Sequence, residues 1–579
     1  MVWRKGRALP AVLLVCAPLS CTGGGDDSSV AAPVAVAMMP EAAAPPPPLD
    51  CAYNDAGDWG MYGQNVCGTR GGNSPTDPIS TKTVSKLKVK WTFAAAGDIS
   101  ATPAVVGGQV YVPDWGGNLN RIDATTGKAV WSKNVGEILG IGDAGIPYDA
   151  GGLDTSSTRS FAAPVSRVTP VVSGNNVIFG MGSSQANATM AAVDKDTAAL
   201  KWQTALDTHP TALITSSPAI DGDVVYVGVS SGEEVAAGQI PGYPCCSFRG
   251  SVVALSATTG AIKWKTPMIE DSVFYKSDGS MSGYAGAAIW SGTPTVDRKR
   301  RLVYVTTGNN YSVPANPPSP PPPGDHVESI VAVDMDTGAI KWAASMVAPA
   351  GDVWTFQTPG GPDYDLGCGA NLFQASSHGT FHDVVGAGQK SGVYWAVNAD
   401  DGGVLWKTQV GPGGHLGGIH WGTAVDSNGV YVGVNDESGT AYTMGGSGPQ
   451  AGKKTSVGSW AALDPAGGSG DAGVSNKGKI LWQIANPAMT APLGGASVNG
   501  PLAVYNGVVF AGSMDNMGMM YALDASSGKV LWQYASGATV YSGPAIVNGV
   551  VYWGVGYPAS RLGFGSHGTV QLYAFDLSE

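Results

Sequence analysis

The chain has 579 residues and a net charge of −12, with 84 Gly and 39 Pro but only 13% charged residues, about half the usual share. That profile fits many tight turns between short strands and argues against long solvent-facing helices, which bring more Glu and Lys. The acidic balance also speaks against a nucleic-acid partner, because phosphate binding needs a basic face.

The chain opens on a basic head, Arg4, Lys5 and Arg7, followed by an apolar run over 8–19. The run is too short for a comfortable membrane span and reads as an export signal over 1–21. Ser20-Cys21, ahead of a loose Thr-Gly-Gly-Gly-Asp-Asp stretch, is similar to a bacterial lipoprotein signal in which Cys21 becomes the lipidated N-terminus. Pro18 departs from that pattern and leaves ordinary cleavage open. The protein is therefore expected to be exported, either periplasmic or held at the outer membrane by a lipid anchor. Residues 22–50, rich in Ala, Pro and Gly, read as a disordered tether, and 51–579 as the folded body. Seven cysteines suit an oxidising compartment. Cys51 and Cys67 are placed to staple the entry segment, Cys245 and Cys246 are adjacent, and Cys368 is left single. No Cys-x-x-Cys-His occurs, so this sequence carries no c-type haem site.

One pattern then recurs: apolar-Ala-apolar-Asp, a few small residues, Thr/Ser-Gly, and an apolar run ending in Trp. It stands at 119–131 (LNRIDATTGKAVW), 190–202, 252–264, 330–342, 394–406 and 520–532. A stretched copy spans 460–482, with a Gly-rich insertion in its turn. The last copy, 572–576, ends before its tryptophan, and the missing strand is at the other end of the body, Leu87-Lys-Val-Lys-Trp91. Each copy is an antiparallel hairpin around an Asp-x-x-x-Gly turn. A second hairpin signal precedes most copies, so each unit makes a four-stranded sheet that needs neighbours to bury its faces. The expectation is an all-β, eight-bladed β-propeller. Its repeat tryptophans dock between blades, and the N- and C-terminal strands pair in one blade to close the ring and remove exposed edges.

Function in such a ring sits on loops at one end, so insertions between repeat strands are the places to look. Val229-Ser-Ser-Gly-Glu-Glu234 puts two acids directly after an apolar strand, and Cys245-Cys246 lies further along the same insertion. Thr306-Thr-Gly-Asn-Asn-Tyr311 ends a strand in amide side chains, and Gly360-Gly-Pro-Asp-Tyr-Asp-Leu-Gly-Cys-Gly369 holds two acids in a Gly-rich bend. Converging carboxylate and amide oxygens suit a hard cation such as Ca²⁺. By themselves, scattered loop acids are more often solvated surface groups.

The repeat and four segments resemble the quinoprotein dehydrogenases that use pyrroloquinoline quinone (PQQ), and within them the branch that oxidises polyvinyl alcohol. The segments are Asp58-Trp-Gly-Met-Tyr-Gly-Gln-Asn-Val-Cys-Gly-Thr-Arg70, Cys245-Cys-Ser-Phe-Arg-Gly-Ser251, Gly386-Ala-Gly-Gln-Lys-Ser-Gly-Val-Tyr-Trp395 and Gly417-Gly-Ile-His-Trp-Gly-Thr-Ala424. The resemblance implies PQQ-dependent oxidation of an alcohol. By position it implies Asp363 as the base that takes the alcohol proton and Lys390 as the cation at the quinone carbonyl. Glu233, Asn309, Asp363 and Asp365 fall at the metal-ligand positions, Asp365 in the pattern of lanthanide-using relatives. Trp290 falls where an indole forms the cofactor's floor, Arg167, Thr215 and Ser230 where its carboxylates are held, and Cys245-Cys246 as a disulfide lid. Without a fused cytochrome, electrons would pass to a separate cytochrome c or quinone. The rival from another class is a cofactor-free scaffold of the outer-membrane assembly lipoprotein type, which has no need of Asp363 and Lys390 together.

Overall fold

Local chemistry explains the repeat. Strand Asn118–Asp123 pairs antiparallel with Ala129–Asn134, and in the turn Asp123 accepts the Thr126 amide and the Thr126 hydroxyl, both at 2.8 Å. Gly127 closes that turn at φ +70°, and a Cβ there would stand 2.6 Å from the Trp91 ring. Glycine is needed twice over, for the left-handed backbone and for the indole lying on it. The Trp91 Nε1 donates to the Ala124 carbonyl at 3.0 Å. The same clasp recurs for Trp202 on Gly260, Trp264 on Gly338 and Trp482 on Gly528, each indole donating to a carbonyl of the next turn at 2.8–3.1 Å. In these four seams a large apolar ring fills the gap while its one polar atom is satisfied; on Gly402 the Trp342 ring packs the same way with its Nε1 unpartnered.

The computed structural model describes residues 47–52, 57–142, 165–182, 187–290, 292–347, 351–358, 360–377, 380–467, 478–488, 497–557 and 570–578. The expected signal, most of the tether, most of the 141–158 insertion and the Gly-rich insertion of the stretched repeat lie outside them. Eight sheets of the expected order form an eight-bladed propeller. Blades 1 to 7 contain strands within 104–134, 171–207, 219–267, 295–345, 371–409, 424–485 and 503–535. Blade 8 combines Ala545–Val547, Val550–Gly554 and Gln571–Asp576 with Lys88–Ala94, which pairs antiparallel along Gln571–Asp576.

The short first strands are buried and lie beside those of neighbouring blades around the axis, whereas fourth strands such as Ala129–Asn134 and Ile262–Pro267 bury only their tryptophan. The entry segment 59–72 runs along the inner edges of five blades. Its carbonyls, from Trp59, Val66, Cys67, Thr69 and Arg70, accept from Val105, Val296, Leu372, Val425 and Val504 at 2.7–3.0 Å. Edge amides that would otherwise face the channel are thereby paired. Cys51 and Cys67 form a disulfide that fastens this segment. No helix among the described residues is long and apolar enough to cross a membrane.

Candidate active site

A cavity of about 410 Å³ opens at the end of the ring where second strands finish and first strands begin. Arg167, Thr215, Gly367, Asn499 and Tyr541 line it, each four residues ahead of its blade's first strand, and Trp290 stands five ahead. Lys390 lines it from just past strand Thr380–Gly388, and Asp363 and Asp365 from the connection between blades 4 and 5. The propeller repeat thus sets one lining position per blade, and the insertions supply the charges.

Charge is unevenly distributed here. The Lys390 ammonium lies 2.9 Å from Asp363 and 2.6 Å from Asp365, and the Glu234 carboxylate faces the same space. Burial pushes the Asp363 carboxyl well above its usual range, Lys390 opposing while Asp365 and Glu234 add to the shift. Burial alone would lower Lys390; Asp363, Asp365 and Glu234 outweigh it and hold the ammonium charged. Burial pushes Glu234 up to about 8, with Lys390 opposing and Asp365 reinforcing. Three acids thus gather around one ammonium, with the Arg167 guanidinium elsewhere in the lining.

Two adjacent glutamates part company at this point. They occupy the first turn of helix Glu233–Gln239, where successive side chains diverge by about 100°. Glu233 turns away from the cavity. Its carboxylate is fully buried and accepts from the Ser247 and Phe248 amides at 2.9 and 2.8 Å and from the Tyr243 hydroxyl at 3.2 Å. Burial alone would raise this group, but His209 and the two amides outweigh it and hold it below its usual range. The Glu233 carboxylate is thus fully engaged, whereas the Glu234 Oε2 is buried without a hydrogen bond. Helix phase was the signal that separates the two.

The loop that Glu233 grips contains the Cys245–Cys246 disulfide. Neither cysteine is among the residues that line the cavity. Ser230 does not line it either: it is fully buried behind Thr215, the two hydroxyls 2.6 Å apart. Thr215 also donates to the Trp290 carbonyl. The Trp290 Nε1 has no partner, and a Cβ on Gly308 would come within 3.0 Å of it and 2.4 Å of Asp365 Oδ1. Gly308, in the Thr-Thr-Gly-Asn stretch, is what lets the indole and the acid approach. Arg167 lies between the Trp115 and Trp421 rings, 5.9 and 5.6 Å from their centroids.

Asn309 is fully buried; its backbone N–H donates to Asp365 Oδ1 at 2.7 Å, and its Nδ2 donates to the Asn310 and Trp354 carbonyls. The Oδ1 is left without a partner. Among the described residues no three carboxylate, imidazole or thiol groups are already gathered as a ready metal cluster. The unpartnered oxygens of Asn309 and Glu234, beside Asp363 and Asp365, nevertheless form an oxygen-only donor set of the kind a hard cation takes. The unpartnered flat indole fits a planar cofactor.

Sequence reading missed Trp354, which lines the cavity and stacks on His415 at 5.7 Å. His415 bonds Glu437 at 3.1 Å, and burial pushes His420, which contacts the Gly417 carbonyl, down to about 3. Cys368 is a free, buried thiol, and burial pushes it up to about 12.

The family described as glucose/ethanol/alcohol dehydrogenase, β-propeller domain, which is defined by PQQ, matches residues 59–415. The chain belongs to this family and is a PQQ-dependent alcohol dehydrogenase. The polyvinylalcohol dehydrogenase of Sphingopyxis sp. (strain 113P3) is 30% identical over 513 residues, covering 82% of this chain and 69% of that protein. The quinohemoprotein alcohol dehydrogenase of Comamonas testosteroni superposes with a TM-score of 0.64 at 19% identity, over 90% of this chain and 80% of that one. A europium-containing methanol dehydrogenase superposes with a TM-score of 0.62, also at 19% identity, over 90% and 98%. A family described as outer membrane protein assembly factor BamB matches only 461–574. That stretch lies in blades 6 to 8 and contributes neither Lys390 nor any of the three acids around it.

Proposed function

We propose that this cavity oxidises an alcohol, secondary or polymeric, with Asp363 as the base and a hard cation held by Glu234, Asn309, Asp363 and Asp365. The observation that carries the reading is the meeting of Asp363, Asp365, Glu234 and Lys390, from distant parts of the chain, around one cavity beside Trp290. When bound, PQQ supplies the hydride acceptor, and a Lewis-acidic cation beside it makes the ring more electrophilic. Trp290 offers a rigid apolar seat, with Gly308 leaving room beside it. Arg167 and Thr215 would hold acidic groups of the cofactor, with Ser230 beside the Thr215 hydroxyl to orient it. Asp363 takes the alcohol's hydroxyl proton at its carboxylate; its burial among other acids makes it a willing acceptor. Lys390 stabilises negative charge where it develops. We assign Ca²⁺ as the cation, and Asp365 supplies the additional oxygen that a trivalent lanthanide would favour. Electrons leave to a separate cytochrome c or quinone, from an exported protein.

The test is to express the full chain, add PQQ with Ca²⁺ or a lanthanide, and follow dye reduction with secondary alcohols. Asp363→Ala should lower turnover by roughly 10²–10⁴-fold, the span of general-base catalysis, with the thermal transition preserved. Turnover within tenfold of the parent would reject Asp363 as the base.

A further inference from the structure

We propose that Phe356 and Trp354, joined edge to face on the acid side of the cavity, form an open aromatic lip that receives the alcohol's carbon chain, so that alcohols with long apolar chains are favoured over short ones. The inference rests on the reading of the cavity given above and concerns the part of the substrate that the base and the cation leave unheld.

The segment 352–356 is tied to the reacting groups at every second residue. The Asp352 carboxylate accepts the backbone N–H groups of Asp363 at 3.2 Å and Tyr364 at 2.7 Å. The Trp354 amide donates to the Asn310 carbonyl at 3.0 Å, and the Trp354 carbonyl accepts from Asn309 Nδ2 at 2.9 Å. The Phe356 amide donates to the Glu234 carbonyl at 3.3 Å. One short stretch is thus bonded to the loop of the base and to two of the residues assigned to the cation. The rings it carries stand beside the place where the hydroxyl is held.

Those rings are fixed and partly open. Trp354 and Phe356 both line the cavity, their centroids 4.8 Å apart and their planes at 66°. Trp354 stacks in turn on His415, which Glu437 holds at 3.1 Å while accepting the Leu416 amide at 2.8 Å. Phe356 cannot retreat, because helix Glu233–Gln239 packs directly against it: a Cβ on Gly238 would stand 2.3 Å from the Phe356 Cβ. Trp354 is 7% exposed, yet Phe356 is 44% exposed. A rigid phenyl ring left open at the edge of a cavity gains by exchanging its water for an apolar group.

A second aromatic group in the cavity, Trp115, Trp421, Tyr541 and Tyr557, is already engaged. Arg167 lies between its two indoles and donates to the Tyr557 hydroxyl at 3.4 Å, so that side suits an anion. Among the described residues no guanidinium or ammonium lies over the Trp354 or Phe356 ring. With the hydroxyl held at Asp363 and the α-hydrogen directed toward the Trp290 seat, an uncharged chain has the lip beside it.

In the full chain loaded with PQQ and Ca²⁺, kcat/KM along the series from 2-propanol to 2-octanol should rise about twofold for each added methylene, the return of a CH₂ about half buried. The rise should appear in KM. Phe356→Ala should cut the ratio of 2-octanol to 2-propanol by at least about tenfold, whereas Phe356→Leu, which restores apolar surface, should keep it within about threefold of the parent. A second measurement needs no turnover. In the cofactor-free chain, 2-methyl-2-octanol, a tertiary alcohol with no α-hydrogen to lose, should slow hydrogen exchange across 352–356. Phe356→Ala should raise the concentration that half-saturates this effect by at least about fivefold. A parent whose kcat/KM is flat with chain length would overturn the lip. So would a Phe356→Ala variant that keeps both the parent's slope and its half-saturation. Because exchange is read without cofactor, weakened binding in Phe356→Ala supports the lip even where Asp363→Ala retains turnover and the base assignment fails by itself.

Discussion

Two clusters of charge in this propeller use the same residue types to opposite effect. On the turns of blades 4 and 5, Arg300 bonds Asp297 at 2.9 Å, Asp383 at 2.7 Å and Asp400 at 2.7 Å. Asp383 also receives Lys299 at 2.6 Å and Gln374 at 2.8 Å. Burial would lower the Arg300 guanidinium, but the three carboxylates outweigh it and hold it firmly charged. Every strong donor has an acceptor, and the cluster is closed. At the ring's mouth, Lys390 faces Asp363, Asp365 and Glu234, with Asn309 Oδ1 and Glu234 Oε2 left without partners. That cluster is open. A closed cluster ties blades together, while an open one stores a demand for a ligand.

The comparison is broken most directly at Lys390. If the open cluster serves chemistry, Lys390→Met should cost kcat about 10²–10³-fold, the usual loss when one preorganised charge donor is removed, read by dye reduction at saturating PQQ and Ca²⁺. Arg300→Ala should do the reverse. Removing one partner from a buried network costs about 3 kcal/mol, read as a Tm roughly 3 °C lower for a chain of this size, with kcat of the folded fraction unchanged. A loss of kcat in Arg300→Ala would show that the two clusters are not independent.

A smaller effect separates the adjacent glutamates. Glu234→Gln should raise the Ca²⁺ concentration needed for half-maximal activity by on the order of tenfold, about 1.4 kcal/mol, and leave Tm nearly unchanged. Glu233→Gln should lower stability by about 1–2 kcal/mol, because charge-assisted bonds to the Ser247 and Phe248 amides weaken, and should not move the Ca²⁺ dependence. The opposite assignment of these two outcomes would make Glu233 the ligand.

The fold was legible because each blade declares itself locally. The Asp and Gly of a turn and the Trp that lies on the next one sit within a dozen residues of each other, as in 119–131, and the broken last copy pointed to Trp91. In the site, a strand end singles out individual residues, as with Lys390 and Asn309, but orientation is not written in the sequence: Glu233 and Glu234 differ only in helix phase, and nothing in Cys245-Cys246 says which way its loop faces. The burial of Asp352 and Glu328 was invisible because the groups they bond lie 11 and 61 positions away. An acid in a loop looks alike whether it is solvated or buried.

Asp325 lies between the closed and the open case, and its pH response is the finest test of the distinction. It is buried, accepts from Asn310 Nδ2 at 2.8 Å through one oxygen, and has no partner on the other. Burial pushes its carboxyl up to about 6, with Asn310 opposing. A folded-state pKa above the unfolded one favours the protonated form in the fold. Its contribution is therefore fully present below the unfolded value of 3.8 and is lost as pH rises through about 6. At pH 7 the carboxylate is a net burden. Asp325→Asn keeps the oxygen that accepts from Asn310 and removes the charge, though its new amide needs an acceptor, which offsets part of the gain. The expected outcome is a Tm about 1 °C above the parent at pH 7, equivalent to about 1 kcal/mol, shrinking to nothing near pH 4. A constant difference across that range would mean that Asp325 is ionised throughout, paired with a cation, and so belongs with the open cluster rather than between the two.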